Sequence, residues 1–291
     1  MMSIIKKILK TYLPYGIIKL ARSYLRKKKR RTLELSIHLT DHCNLNCKGC
    51  DNFSPVADEK YHCAGSLEKD FKRIYELANE KIRIGAVKLT GGEPLLHPEL
   101  IKILNSAGKY FSKIDNLCIV TNGILLLKQE SAFWETCKNN NIKVLITKYP
   151  IELPFNKIEE KAKAEGVVLD YFGNTQTELK RMHKMPLNLN GTEDFRKNFE
   201  LCYKSIYCIM LDEGKIYTCS LVPYIKYFNK YFGTNLEVSK NDYIDIYSVQ
   251  NMKEIFDFLC KPIPFCRYCN TKKPVYDIDW EISKKEITEW V

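Results

Sequence analysis

Short apolar runs alternate with amphipathic stretches between about residues 34 and 171. Each strand-like run is followed by a segment whose apolar positions recur every three to four residues, as on one face of a helix. Five strands are predicted, at Glu34–Leu39, Gly85–Leu89, Leu117–Val120, Lys143–Thr147 and Val167–Tyr171. Four helices are predicted between them, at Ser66–Lys81, Pro98–Phe111, Gln129–Asn139 and Lys157–Glu165. Ser66 is the predicted N-cap of the first helix. This alternation is typical of parallel βα units.

Right-handed connections curl consecutive βα units into an open or partial barrel. Loops at the carboxyl ends of the strands then form the ligand site. We therefore predict an α/β fold whose chemistry lies in the segments that directly follow the strands.

The pattern changes after Gly173. Residues 174–200 are polar and predicted to be irregular, and Asp212-Glu213-Gly214 is a turn between strands at Ile206–Leu211 and Lys215–Cys219. A helical stretch rich in Tyr and Phe follows, and then a helix near Val249–Leu259. Six cysteines lie between residues 202 and 269. These features predict three parts: an N-terminal segment (1–32), an α/β core (33–200) and a small cysteine-rich α+β domain (201–291).

The net charge of +11 arises at the N-terminus. Residues 1–32 contain eleven Lys and Arg and no acidic residue, so the remaining chain carries 35 basic and 35 acidic residues. Apolar residues at helical spacing, such as Ile4, Ile5 and Ile8, make this segment amphipathic. Two interpretations remain open, an interfacial helix on an anionic membrane and a solvated basic extension. A nucleic-acid partner is not predicted, and neither is a transmembrane helix, because no run of eighteen apolar residues occurs.

Twelve cysteines in 291 residues is a high number. The N-terminal apolar stretches are interrupted by lysines and Pro14, and no small-residue cleavage site follows, so a secretory signal is not predicted. Clustered cysteines in a cytoplasmic protein bind metal more often than they form disulfides. We therefore expect a cytoplasmic metalloprotein, peripheral on the inner face of the membrane if the basic segment binds lipid.

The first cysteine group is Cys43, Cys47 and Cys50, spaced C-x3-C-x2-C just after the first strand. Three thiolates hold three corners of an iron–sulfur cubane and leave the fourth iron open for a ligand. A zinc site with His42 or His62 as fourth ligand, and free buried thiols, are the alternatives.

A second motif, Gly91-Gly92-Glu93, follows the second strand, and Thr121-Asn122-Gly123 ends the third. Each alone is also compatible with an ordinary strand-to-helix connection. Together with the cysteine triad they resemble the radical S-adenosylmethionine (SAM) superfamily, over about residues 33–173. The resemblance implies a partial (β/α)6 TIM-like barrel.

The resemblance also implies roles for these residues. Cys43, Cys47 and Cys50 would ligate a catalytic [4Fe–4S] cluster whose open iron is chelated by SAM. Gly91, Gly92 and Glu93 would contact the methionine part of SAM, and Thr121 and Asn122 its ribose. An external donor of the flavodoxin or ferredoxin type would supply the electron. One departure is visible: the residue before the third cysteine is often aromatic in this family, and here it is Gly49, so Phe53 is expected to provide the shielding.

The third cysteine group resembles the shortened auxiliary-cluster module called twitch, which follows some radical SAM cores. It comprises Cys202, Cys208, Cys219, Cys266 and Cys269. The resemblance implies one auxiliary [4Fe–4S] cluster and favours all of these except Cys208, although the spacing of Cys208 also allows it to replace one of the four. A structural zinc ribbon is the alternative. Lys148, Tyr149, Asp170 and Tyr171 lie at the carboxyl ends of predicted strands and are interpreted as strand caps or surface-paired residues rather than as a general base.

The predicted function is radical SAM chemistry on a small or carrier-linked metabolite. The N-terminal Leu13-Pro-Tyr-Gly16 and the Asn52-Phe-Ser-Pro55 after the cluster motif resemble radical SAM proteins of surface-polysaccharide gene clusters. That resemblance suggests oxidation or epimerisation of a sugar or polyol. A peptide-modifying maturase and a non-catalytic iron–sulfur electron carrier are the alternatives.

Overall fold

The computed structural model describes residues 15–28, 32–78, 83–172, 179 and 181–291. The strands are β1 (Thr32–His38), β2 (Arg83–Thr90), β3 (Asn116–Thr121), β4 (Lys143–Ile146), β5 (Leu169–Tyr171), β6 (Met182–Lys184), β7 (Met210–Asp212), β8 (Lys215–Tyr217), β9 (Tyr243–Asp245) and β10 (Val275–Ile278). The α-helices are α1 (Tyr15–Lys28), α2 (Ala64–Leu77), α3 (Leu100–Phe111), α4 (Ser131–Asn139), α5 (Phe155–Glu165), α6 (Phe195–Leu201), α7 (Lys204–Tyr207), α8 (Leu221–Phe232) and α9 (Met252–Leu259).

A mostly parallel sheet forms the centre of the protein, in the order β5-β4-β3-β2-β1-β7-β8-β9. Strands β1 to β5 pair in parallel with their neighbours in the chain, and α2 to α5 connect them. The predicted α/β class and all five predicted strands are therefore confirmed. A sixth parallel strand, β7, does not extend the sheet beyond β5. It pairs with β1, where Ser36 faces Met210.

The apolar pattern explains why the helices lie on this sheet. In β1, Leu33, Leu35 and Ile37 are fully buried, and the polar positions between them are less so. Helix α3 buries one stripe at positions 100, 103, 104, 107 and 111, which is the three-to-four spacing that predicted it. Burial of each large apolar side chain contributes on the order of 1.5–3 kcal/mol.

Three predicted local features differ from the structure. Helix α2 begins at Ala64, so Cys63 is the N-cap and Ser66 lies inside the helix. Residues 174–200 are not wholly irregular, because β6 and α6 lie there. Strand β6 pairs with the distant β10, and no local periodicity indicates such a pairing. Residues 204–207 form α7, so the hairpin strand β7 starts only at Met210.

The predicted turn between β7 and β8 is present. Glu213 and Gly214 both have positive φ angles, 48° and 73°, as a two-residue hairpin turn of type I′ requires. The hairpin joins the parallel sheet to the C-terminal part of the chain.

Most of the proposed amphipathic N-terminal segment lies outside the described residues. Of residues 1–32, the structure describes only α1 and Thr32. Helix α1 packs against α6 and α7, and Lys19 forms an ion pair with Glu200 at 3.0 Å. Its residues Ile17, Leu20 and Tyr24 are exposed. Within the described ranges no helix is both long and apolar enough to cross a bilayer.

A second apolar core packs beside the first. It is built around α8, whose Tyr224 and Phe228 are fully buried, and around the segment Pro264–Tyr268. Trp290, almost at the end of the chain, belongs to this core and packs against Phe53 and Phe228. The C-terminal segment therefore returns to the loop that follows β1.

Candidate functional site

A cavity of about 310 Å³ opens at the carboxyl ends of the parallel strands. Its walls combine residues of β1, β2, β3 and β7 with the segments that follow β4 and β5. The predicted site residues in its lining are Cys43, Cys47, Cys50, Gly91, Gly92, Glu93, Thr121, Asn122 and Cys208. The sheet therefore curves around one cavity, and the first two predicted motifs meet there.

The cysteine triad lies on the loop after β1, and backbone and side-chain donors point at its sulfurs. The Leu45 N–H donates to Cys43 Sγ at 3.3 Å, and the Trp280 indole N–H donates to Cys47 Sγ at 3.1 Å. Such donors stabilise thiolates, which are the ligand form of cysteine.

The electrostatics of the triad favour a bound cation. Burial raises the pKa of Cys43, and the negative charges of Glu93, Cys50 and Cys47 raise it further. Burial likewise raises the pKa of Cys50. A bound cationic metal group would favour the deprotonated form of these thiols, which is the form that ligates metal. The residues present therefore fit an iron–sulfur cluster held by three cysteines.

The Gly-Gly segment packs directly on the cysteine loop. The Gly92 N–H donates to Thr40 O at 2.7 Å, and the Glu93 N–H donates to His42 O at 3.0 Å. A Cβ at position 92 would lie 1.9 Å from His42 O, and one at position 91 would lie 2.6 Å from Thr40 O. Positions 91 and 92 must therefore be glycine, because a side chain at either would collide with the backbone of the segment that follows β1.

Glu93 is buried at the floor of the cavity, with 1% of its surface exposed. Its carboxylate accepts hydrogen bonds from Leu95 N–H (3.1 Å), Thr121 Oγ1 (2.7 Å) and Asn122 N–H (2.8 Å). Burial nevertheless raises its pKa to about 7. A ligand ammonium or amine beside this carboxylate would stabilise its charged form.

Thr121 and Asn122 end β3 and orient Glu93 through the bonds just described. Asn122 also donates from Nδ2 to Asn44 Oδ1 at 2.8 Å, which ties β3 to the cysteine loop. Both residues line the cavity, as predicted for ribose contacts, but their described contacts are with the protein.

Two tryptophans that the sequence analysis did not select cover the cysteine loop. Besides the Trp280 contact with Cys47, the Trp290 indole N–H donates to Cys50 O at 2.9 Å. Next to the Trp280 contact, the backbones also pair, because Lys48 N–H donates to Glu281 O at 2.9 Å. These contacts link residues more than 230 positions apart, so only the concentration of two of the three tryptophans near the C-terminus hinted at them.

The presence of glycine instead of an aromatic residue at position 49 has a steric reason. Gly49 has a φ of +65°, and a Cβ there would lie 3.0 Å from Glu289 O. An aromatic side chain is excluded because the C-terminal segment occupies its place. Phe53 was expected to shield the site, but it is fully buried in the second core, and Trp290 covers the loop instead.

Of the strand-end residues, Tyr149 lines the cavity, and burial raises its pKa. Lys148 lies over the rings of Phe155 and Tyr171, and the Tyr171 hydroxyl donates to Glu159. Lys148 and Tyr171 therefore contact side chains of α5.

A second cysteine group surrounds a narrow cavity between α6, α7 and the segment Pro264–Tyr268. Four cysteines line it: Cys202, Cys219, Cys266 and Cys269. Asn198 on α6 orders the loop between the last two, because its Nδ2 donates to Cys266 O (2.9 Å) and to Cys269 O. Burial raises the pKa of Cys219, Cys266 and Cys269, and neighbouring cysteine charges add to this. This set also fits a cationic metal group.

Cys208 lies apart from that group. It lines the first cavity, and burial raises its pKa to about 11. The structure thus brings four of the five C-terminal candidates to one cavity, whereas the fifth lines the cavity of the cysteine triad and still lies near enough to Cys202 for their charges to interact.

A buried ion pair connects the two cavities. Lys204 lines the second cavity, with 3% of its side chain exposed, and its Nζ lies 2.5 and 2.6 Å from the carboxylate oxygens of Asp51. Asp51 directly follows Cys50 and lines the first cavity. Burial opposes the charge of Lys204, but Asp51 holds its pKa above the usual value.

Asp51→Asn is expected to lower the free energy of unfolding by about 3 kcal/mol, because it leaves a buried ammonium without its partner. Lys204→Met should cost less, since the Asp51 side chain is 38% exposed and water can solvate it. The exposed pair of Lys230 and Asp58 is the control: Asp58→Asn should change stability by less than about 1 kcal/mol. Urea unfolding of the metal-loaded protein measures all three; equal effects of Asp51→Asn and Asp58→Asn would contradict this account.

Part of the chain is similar to a known protein family. Residues 37–145 match the model of the Radical SAM superfamily. GTP 3′,8-cyclase of Clostridium perfringens (strain SM101 / Type A) is 28% identical over 181 residues, which cover 55% of this chain and 54% of that protein. The chain therefore spans about half the length of this relative. GTP 3′,8-cyclase of Clostridium botulinum (strain Okra / Type B1) is 22% identical over 293 residues, covering 91% and 88% of the two chains.

BtrN in complex with AdoMet and 2-DOIA superposes with a TM-score of 0.46 and 16% identity, over 82% of this chain and 92% of that one. Native anSMEcpe with bound AdoMet gives a TM-score of 0.45 and 14% identity, over 81% and 82%.

Proposed function

From the premise that residues 37–145 are a radical SAM domain, we propose that this chain is an enzyme that removes a hydrogen atom from a small polyhydroxylated substrate, oxidising or epimerising it. The observation that carries the proposal is the single cavity at the strand ends, which brings the cysteine triad, Glu93 and a polar wall together.

Radical SAM domains use a [4Fe–4S] cluster and SAM. In this chain Cys43, Cys47 and Cys50 would hold the cluster, and Gly91, Gly92 and Glu93 would bind the methionine part of SAM. When bound, these groups would supply the abstraction of a hydrogen atom from a substrate carbon, and an auxiliary cluster would accept the remaining electron of an oxidation.

The residues of the chain would bind the amino group of SAM and shield the cysteine loop from water. The Glu93 carboxylate lies where it can accept hydrogen bonds from an amino group, and Thr121 and Asn122 fix its orientation. Trp280 and Trp290 cover the cysteine loop and exclude water from one side of it.

The lining supports a hydroxylated substrate. Polar side chains in the cavity wall beyond the SAM motif include Ser36, Asn52, Lys88, Thr147, Tyr207 and Ser220. Hydroxyl, amide and ammonium groups of this kind hydrogen-bond to hydroxyls, which suits a sugar or polyol better than an apolar ligand.

The experiment uses the metal-loaded protein under anaerobic conditions with SAM, a reductant and polyols deuterated at their carbinol carbons. Deuterium in the 5′-deoxyadenosine supports the proposal. 5′-Deoxyadenosine that gains no deuterium from any polyol, but forms faster with GTP or with a peptide, would overturn the substrate class. If no 5′-deoxyadenosine forms under any condition, the assignment as an enzyme is wrong and the electron-carrier alternative gains support.

We also propose that Cys202, Cys219, Cys266 and Cys269 hold the auxiliary [4Fe–4S] cluster, since they alone among the C-terminal candidates surround the second cavity. Cys266→Ala should therefore lower the iron content from about eight to about four per chain. Cys208→Ala is the matched control and should retain about eight. Loss of iron in the Cys208 variant would contradict this ligand set, and about one zinc with four irons in the wild type would identify a zinc ribbon instead.

A further inference from the structure

Besides the cysteines, the described residues contain one group of metal-ligating side chains, formed by Asp41, His62 and Asp212. All three are buried, with exposures of 1%, 6% and 5%. One ligand atom of each lies within 4.8 Å of the others. They come from the loop after β1, the segment before α2 and the end of β7, so the fold assembles the group.

The distances suit a single ion. His62 Nε2 lies 3.1 Å from Asp41 Oδ1 and 3.6 Å from Asp212 Oδ1. Bonds from zinc to imidazole nitrogen and carboxylate oxygen are about 2.0–2.2 Å long, so neighbouring ligands of one ion lie about 3.0–3.5 Å apart. The present positions nearly match that spacing.

Buried polar groups at this place lack partners. Asp212 Oδ1 and the hydroxyl of the fully buried Tyr224 make no hydrogen bond of good geometry, although the two groups are neighbours. Tyr224 reaches the group because its hydroxyl lies beside Asp212, and burial raises the pKa of that carboxyl. A buried carboxylate oxygen without a donor is unfavourable, and a cation bound to it would remove the penalty.

Two further side chains already orient the group. The buried His38 Nδ1 lies 3.4 Å from Asp41 Oδ1, which also faces His62. The Tyr227 hydroxyl donates to Asp41 Oδ2. Such hydrogen bonds to the free oxygen of a ligating carboxylate are typical of metal sites.

We propose that Asp41, His62 and Asp212 bind one divalent cation of the Mn²⁺ or Zn²⁺ kind, outside both cysteine groups. Two carboxylates balance its charge, and one imidazole completes a mixed oxygen and nitrogen set that such ions accept. The ion joins the cysteine loop to the β7–β8 hairpin, because Asp41 lies two residues before Cys43 and Asp212 ends β7.

The test uses the holoprotein with its iron–sulfur sites filled, so that no free cysteine competes, after adventitious ions have been removed with a chelator. Mn²⁺ is the probe, since it prefers oxygen ligands to thiolates. Free Mn²⁺ is counted by electron paramagnetic resonance during a titration. We expect one bound Mn²⁺ per wild-type chain and at least about tenfold weaker binding in Asp212→Asn and His62→Gln. Asp245→Asn, an exposed aspartate on β9, is the matched control and should bind like the wild type.

Thermal unfolding provides a readout that does not depend on the variants. Saturating Mn²⁺ should raise the wild-type Tm by about 5–10 °C at 100 times Kd. No saturable Mn²⁺ binding by the wild type, or equal binding by all variants, would overturn the proposal. The group would then be a hydrogen-bonded network in which His62 bridges the two carboxylates.

Discussion

Replacing Cys43, Cys47 and Cys50 together by alanine is expected to remove four of about eight irons per chain and to reduce 5′-deoxyadenosine formation at least about 10³-fold. The three cysteines line one cavity with Glu93, and burial raises the pKa of Cys43, so a bound metal group is what would hold the thiol in its deprotonated, ligating form. The measurement is an iron and sulfide count of anaerobically reconstituted protein, followed by quantification of 5′-deoxyadenosine.

The control for this experiment is Cys63→Ala. Cys63 is an exposed thiol at the start of α2, so its removal should change neither the iron count nor the activity. About four irons in the wild type, all lost in the triple variant, would keep the radical SAM site but remove the auxiliary cluster. A triple variant that retains eight irons would contradict the role given to the triad.

Gly92→Ala is expected to have the largest effect of any single methyl addition in the site. The new Cβ would lie 1.9 Å from His42 O and 2.9 Å from Cys43 N, and both are backbone atoms that no side-chain rotation can move. Overpacking of this kind costs about 3 kcal/mol or more, because the cysteine loop itself must shift. We expect lower stability and incomplete cluster assembly, measured by thermal unfolding and iron content.

Gly65→Ala is the matched substitution for comparison. Gly65 lies in the first turn of α2, and the nearest atom to its added Cβ is Cys63 Sγ at 3.9 Å. Alanine there should stabilise the protein by about 0.5–1 kcal/mol, since it restricts the unfolded chain and favours the helix. Equal stability of the two variants would show that the contact between Gly92 and the cysteine loop is not tight.

Local patterns were sufficient for the parallel core. The strand of period two around Leu33, Leu35 and Ile37 and the helical stripe of α3 are properties of short segments, and both appear where they were predicted. The predicted N-cap of α2 was wrong by three positions, since Cys63 and not Ser66 is the N-cap. Tertiary packing sets the ends of helices more than propensity does.

Only the tertiary structure shows which of the two cavities each C-terminal cysteine lines. Spacing alone allowed Cys208 to join the C-terminal group, and the fold places it in the lining of the first cavity instead. Helix α7 separates Cys202 from Cys208, so the two residues line different cavities, although their charges still interact.

The sequence by itself determined the α/β core, the two motifs at the ends of β1 and β2, and the existence of a cysteine-rich C-terminal part. Each of these is written in neighbouring residues, through hydrophobic period or close spacing. Only the tertiary structure decided which distant groups complete the site. Trp280 meets Cys47 across 233 positions, and Lys204 meets Asp51 across 153. Such contacts leave no periodic trace in the chain, because they depend on how two cores pack together rather than on the conformation of any one segment.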